Sequence, residues 1–456
     1  MREETIYTAV TDSTVTLYWR RPWNFGIKDL FEIHCAADHT VCRTSKTHCT
    51  ARNLESGEWY DFEVRWMRGE ECMWKTLVSV QTGRKKRRID ITEEPYFAKG
   101  DGRTDNTEAI QQAVNDCGPE EEVYIPQGTF LAGALELHTD MALYLEEGAV
   151  LLGSDKESDY LPMQPSRFEG IERNCYRILL NIGRMDHSEG YTCKDVLIYG
   201  KGTICGGGKK LAESMMDAER ERQKDRIAAL GDRIREYENE NTIPGRARGR
   251  LIQICNCENV RISGLTLKDG PCWNVHMIYS RNILTDHCRI ISEGIWNGDG
   301  WDPDSSEQCA VFACVFRTGD DAVAVKSGKN PEGNRIARPC SSINIFDCRI
   351  EEGHGIAIGS EISGGISGVG IWDCDLSASR YGIEVKGTKK RGGYVRNVDV
   401  QNCITPGICV HSVTYNDDGE PAGCPPEYSG LRFQDIEISE NIHSGKKHRE
   451  KNKQEK

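Results

Sequence analysis

The sequence predicts an all-β protein: a right-handed parallel β-helix preceded by a small β-sandwich. Two observations carry this. An alternating strand ending near a cysteine recurs at Cys288, Cys314, Cys348, Cys374 and Cys403, in steps of 26, 34, 26 and 29 residues. Ahead of that repeat, the first 80 or so residues hold four short runs, at 15–19, 31–34, 59–66 and 77–80, each with apolar side chains on one face.

Taken in order, the amino-terminal runs form a first domain over residues 1–86. Asn53-Leu54-Glu55-Ser56-Gly57 followed by Trp59-Tyr60 resembles the strand entry of a fibronectin type III sandwich. Such a module serves as a cap or binding domain, or simply packs without touching substrate. Gly83-Arg84-Lys85-Lys86-Arg87-Arg88 reads as a solvated linker rather than a nucleic-acid patch. The second domain, residues 87–456, carries the repeat. The segments 260–267 and 431–438 fit its frame, with Leu265 and Ile436 in place of cysteine. Coils of a solenoid stack like residues in ladders, so the repeat cysteines are expected inside as small hydrophobes, without a metal or redox role. Leucine-rich and propeller repeats share the period, but neither consensus recurs. Residues 209 to about 240 break the pattern. There Ile227, Leu230, Ile234 and Tyr237, spaced 3, 4 and 3, predict a helical insert on the outside or rim. The tail from about Ser444 is mostly charged and expected to be disordered.

With 58 basic and 71 acidic residues the chain carries −13. That argues against nucleic-acid binding, which needs phosphates neutralised. No apolar stretch approaches a membrane span, so no membrane partner is expected. No signal-like run follows Met1, and 20 cysteines then suit free thiols in the cytoplasm.

The chemistry gathers in glycine-rich turns. Asn297-Gly298-Asp299-Gly300-Trp301-Asp302-Pro303-Asp304 packs three carboxylates together, and Asp320-Asp321 follows one coil later. Crowded carboxylates split their pKa values, and glycosidic cleavage uses one protonated and one ionised group. The same pattern also suits an aspartate ladder capping turns, or a calcium site. Gly353-His354-Gly355 offers a histidine where backbone can approach a sugar. Lys386, Lys389, Lys390 and Arg391, with Lys326, Lys329, Arg335 and Arg338, supply the local positive charge a uronate polymer requires. Tyr415 is placed to contact sugar or to pack. His34, Cys35, His39, Cys42, His48 and Cys49 lack a Cys-x-x-Cys spacing, so no metal is expected there. Cys205-Gly206-Gly207-Gly208 lacks the lysine of a phosphate loop and reads as a turn.

The motifs resemble glycoside hydrolase family 28, the polygalacturonases, over about residues 90–440. The segment 100–107 with Ala109-Ile110 looks like the amino-terminal cap of pectin-acting β-helices, and 143–149 continues the bacterial pattern. The resemblance implies an inverting hydrolase without a cofactor. Asp320 would be its general acid, Asp299 and Asp321 would activate water, His354 would support them, and Lys386 would bind a uronate carboxylate. There is one departure: Glu384-Val385-Lys386 stands where the family has Arg-x-Lys. Glutamate there repels a uronate, leaving Lys386 or Arg391 to compensate. The first domain and the insert resemble bacterial members that act from a chain end, so the implied substrate is a pectic oligosaccharide. A calcium-dependent pectic lyase, a non-catalytic binding β-helix, and a hydrolase of rhamnogalacturonan or another decorated uronide remain open alternatives.

Overall fold

A computed structural model of the chain describes residues 4–35, 41–188, 190–237, 239–415 and 418–439. His39, Asn416, Asp417 and the tail from Ser444 lie outside the described residues. The chain divides into two compact units, Met1–Arg88 and Ile89–Lys456.

The first unit is a sandwich of two antiparallel sheets. Tyr7–Val10, Thr14–Tyr18 and His48–Arg52 form one; Val41–Thr44, Asp29–Cys35, Trp59–Arg68 and Glu71–Gln81 form the other. Strand alternation sends Val15 and Leu17 from the first sheet, and Phe31, Ile33, Phe62 and Val64 from the second, into one core. Phe25 stacks on Phe31 with ring centroids 4.8 Å apart. The Trp66 indole donates to the buried Asp29 carboxylate at 3.0 Å, so its one polar atom is satisfied.

The second unit is the right-handed parallel β-helix, whose coils lay strands into parallel sheets of eleven, eight and nine strands. Its first strand is Arg87–Asp90, so the basic run is not wholly a linker; the chain enters a sheet at Arg87. Ile110, Ala113 and Val114 of the helix Thr107–Asp116 join the core of the first coils.

The repeat cysteines sit at a corner rather than within a strand. His287, Ala313, Asp347, Asp373 and Asn402 each adopt a left-handed conformation, with φ between 48° and 56°, and the cysteine follows immediately. Gly264 and Asp435 hold the same conformation ahead of Leu265 and Ile436. The turn points each cysteine inward, where all five are 1–3% exposed. Each thiol donates to the carbonyl two residues earlier, at 3.2–3.3 Å, adding a second donor to a corner oxygen that already accepts a backbone N–H from the preceding coil. All 20 cysteines are free thiols.

The insert differs from its expected form. It comprises the helices Gly208–Arg222 and Lys224–Leu230 and a 3₁₀ turn, Gly231–Glu236. The buried face is Leu211, Ala212 and Met215, packed with Tyr160 and Tyr176; Lys224–Leu230 buries nothing completely. Gly231, at φ 52°, ends the second helix and splits the predicted stripe between two elements. Among the described residues, no helix is long and apolar enough to cross a membrane.

Candidate active site

The outer face of the nine-stranded sheet, with the loops entering it, gathers the charged residues. Its central strands are Val275–Ile278, Trp301–Asp304, Val323–Val325, Gly355–Ile358 and Gly382–Gly387. Trp301 pairs with Val323, and Val323 with Ile356. This register stacks Asp299 on Asp321, and Asp321 on His354. Asp299 thus stands one coil from the Asp320-Asp321 pair, and the register selects Asp321 as its partner. The backbone holds the stack: Gly300 N donates to Asp321 O at 3.0 Å, and His354 N to Asp320 O at 2.8 Å.

The glycines flanking His354 let neighbouring coils pack. Gly353 and Gly355 both have φ 130°, and a Cβ on Gly355 would lie 2.0 Å from the Gly382 carbonyl oxygen of the next coil. Only glycine lets the coils close there.

Asp299 is buried, and its carboxylate accepts from Lys326 Nζ at 3.0 Å. Burial, opposed by Lys326 and aided by the charges of Asp320 and Asp321, raises its pKa to about 7. Asp321 is raised as well, by burial against the pull of Lys386, whose Nζ lies 3.4 Å away. Asp320 goes the other way. Burial pushes it up, but the His354 ring, with Nδ1 at 2.9 Å, outweighs burial and holds it below the usual carboxylate range. For His354, burial is likewise outweighed by Asp320 and Asp321, so the imidazole holds its proton above the ordinary pH. Lys386 is raised by Asp321 and Glu384 against burial.

Behind this row stands a support that sequence reasoning missed. Asp302 is fully buried, neither of its oxygens has a hydrogen-bond partner, and burial drives its pKa well up, favouring the protonated form. Asp304 pairs with the buried Arg167 at 2.9 Å and lies 3.6 Å from His276 Nε2. Burial depresses His276 to about 3, leaving it neutral. Lys326 Nζ lies 4.2 Å over the Trp273 ring. Asp302 and Asp304 alternate outward on one strand and were legible as carboxylates. Arg167 and His276 carried no signal, since register alone brings residues so far apart in sequence to one face.

Several expected sugar-binding cations are otherwise engaged. Arg391 is buried, donating to Asp418 at 3.0 Å and Ser360 Oγ at 2.8 Å, so it braces a loop rather than facing solvent. Lys326 is buried against Asp299, and Lys329 lies 3.7 Å from Asp418. Tyr415 covers the Arg391 guanidinium at 4.7 Å and stays 40% exposed, within reach of a ligand. Glu384 accepts from His411 Nε2 at 3.0 Å and lies 3.6 Å from Lys386 Nζ. That ammonium is thus shared between two carboxylates.

Asp320, Asp321 and His354 bring their ligating atoms within 4.8 Å of one another, a spacing that suits a metal ion. Lys386 already stands against Asp321, however, and a cation there would face an ammonium.

Replacing His354 tests the proton reading. The Asp320–His354 pair keeps its proton above the ordinary histidine pKa, so kcat/KM should fall only as pH rises through that raised value. In His354→Gln the proton rests on Asp320 alone, and the alkaline limb should move at least one unit toward acid. An unmoved limb in the pH–rate profile would separate His354 from proton delivery.

A parallel β-helix with stacked aspartates over one sheet offers the neighbouring carboxylates that glycosidic hydrolysis uses. Residues 187–453 match the glycosyl hydrolases family 28, and 94–153 match the rhamnogalacturonase A/epimerase, pectate lyase-like family. The chain belongs to glycosyl hydrolases family 28 and is a glycoside hydrolase. It is 27% identical over 407 residues to the exo-poly-alpha-D-galacturonosidase of Dickeya chrysanthemi, covering 84% of this chain and 67% of that one. The Yersinia enterocolitica family 28 exopolygalacturonase superposes with a TM-score of 0.81 at 20% identity, over 96% and 87% of the two chains. An exopolygalacturonase from Thermotoga maritima gives 0.63 at 26% identity, over 77% and 82%.

Proposed function

We propose that the protein hydrolyses α-linked galacturonosyl bonds of pectic oligosaccharides from a chain end, with inversion. The observation that carries this is the Asp299–Asp321–His354 stack with Asp320 beside it, in a family 28 chain related to exo-acting enzymes. Asp320 donates its proton to the leaving glycosidic oxygen as the bond to the anomeric carbon breaks. Water attacks that carbon from the opposite face, and its proton passes to Asp299 or Asp321. In the free cluster the proton lies toward Asp299 and Asp321, and Asp320 is the ionised member. Within the Asp320–His354 pair the proton rests on the imidazole, so catalysis includes its passage to Asp320 and the ionisation of the carboxylate that accepts the proton of water, since coupled groups titrate as a set.

Chain-end action is supported by the hairpin of Gln164–Phe168 and Ile171–Cys175, which covers the sheet beside the cluster through Arg167–Asp304 and a Phe168–Trp273 stack at 4.9 Å. Three-and-four antiparallel strands support the fibronectin type III reading of the first unit, and 20 free thiols support a reducing, cytoplasmic setting.

Product analysis on defined pectic oligosaccharides tests the assignment. Saturated galacturonate released from one end, first seen by NMR as the β anomer, is expected. Unsaturated products that vanish with chelator would mark a lyase instead.

The subsite at Lys386 is a second test of the sugar. Glu384→Gln keeps a partner for His411 and frees the ammonium from one of its two carboxylates. KM for galacturonate oligomers should fall about three- to tenfold, the range of one exposed-to-partly-buried charge contact. A rise in KM would show that Glu384 itself holds the substrate, as it would for a neutral sugar in a decorated uronide.

A further inference from the structure

A second group of cations stands beside the hairpin and the helical insert. These elements line two adjoining cavities of about 290 and 190 Å³. Both are bordered by Arg173 and Arg246; the larger adds Arg222 and Arg226, and the smaller adds Lys329. Three of these five have acids at hand: Arg222 with Glu219 at 2.5 Å, Arg246 with Glu169 at 2.6 Å, and Lys329 with Asp418 at 3.7 Å. The remaining two, Arg173 and Arg226, form no ion pair among the described residues; Arg226 reaches only the Gln223 side chain, at 3.2 Å.

Arg173 is the telling residue. Its Nε is buried and has no hydrogen-bond partner. Burial, then the neighbouring Arg246 charge, press it below the usual arginine value. Glu169 meets Arg246 and attracts Arg173, yet the Arg173 Nε stays without a partner, and a second anion would satisfy it. In a chain of net charge −13, such a surplus is local and specific. The smaller cavity is also lined by Phe168, which stacks on Trp273, the ring beneath Lys326 and so beside Asp299. The cationic surface therefore starts one aromatic layer from the aspartate cluster and runs out to the insert.

We propose that this arginine trough binds the carboxylates of galacturonate residues remote from the scissile bond, forming the distal part of the oligosaccharide site. The proposal rests on the uronide-hydrolase reading above. Guanidinium forks match carboxylates in pairs, and Arg226 on the helix Lys224–Leu230 gives the insert a reason to stand there.

The test is the double variant Arg173→Gln with Arg226→Gln, which leaves the aspartate cluster and the three paired cations untouched. With the full-length protein and galacturonate oligomers of two, three and four residues, KM should rise about tenfold or more for the longer oligomers. It should barely change for the dimer, with kcat held, and the salt dependence of KM should weaken. Equal KM and salt dependence at every length, in variants melting with the parent, overturns the trough and leaves the hydrolase assignment intact. A parent that neither binds nor cleaves galacturonates removes both. Exposed Arg226→Gln alone covers a double variant that does not fold: about a threefold rise for the tetramer is expected, and no change overturns the proposal.

Discussion

Asp320→Asn is expected to lower turnover of a galacturonate oligomer by about 10³-fold while its Kd stays within a few-fold, because a positioned general acid supplies an effect of that order. The residue is partly exposed, at 28% of its side chain, so the amide fits without disturbing the buried row behind it. Leaving-group chemistry separates the roles. A galacturonoside of an acidic phenol departs without a proton, so Asp320→Asn should lose far less on it than on the natural bond. Asp299→Asn and Asp321→Asn remove the activation of water and should lose equally on both substrates. If instead Asp299→Asn is the variant spared by a good leaving group, acid and base are exchanged. That exchange would agree with the free-state proton lying on Asp299.

The second large effect is on stability. Lys326→Met should destabilise the β-helix by about 3 kcal/mol or more at pH 7.5, since removing one partner of the buried Lys326–Asp299 pair strands the other. Lys326 lies 3.0 Å from Asp299 and 3.8 Å from Asp302, and all three are buried. The sign with pH follows. Both carboxyls have folded pKa values raised above their unfolded ones, so each favours the folded state at low pH and disfavours it as pH rises. Without the ammonium these values rise further, so the variant's deficit should be large at pH 7.5 and shrink toward pH 4.5. Thermal melts at the two pH values check this. A deficit independent of pH would mean that Lys326 acts by packing on Trp273 alone.

Local patterns made much of this legible. The cysteine repeat announced the coils because each corner turns one apolar side chain inward, cysteine at five of them and Leu265 and Ile436 at two more. Asp299, Asp320, Asp321 and His354 were readable because they cluster in short glycine-rich turns. Arg391 and Lys326, expected to bind substrate, meet Asp418 and Asp299, because sequence shows charge but not the acid it will face. The insert is helical but buries a face other than the expected one, since Gly231 interrupts a stripe that looks continuous as a string.

The sequence by itself determined the solenoid, the amino-terminal sandwich and the membership of the aspartate cluster, because each follows from periodicity or from spacing within one or two coils. The tertiary structure alone decided which aspartate stacks on which. A coil can gain or lose a residue between motifs, and hydrogen-bonded register rather than counting sets the pairing. It also decided the direction in which each aspartate titrates, because burial and the approach of Lys326, Lys386 and His354 are properties of packing. The arginine trough belongs to the same category: Arg173, Arg226 and Lys329 are far apart along the chain and meet only when the hairpin and the insert fold over the coils.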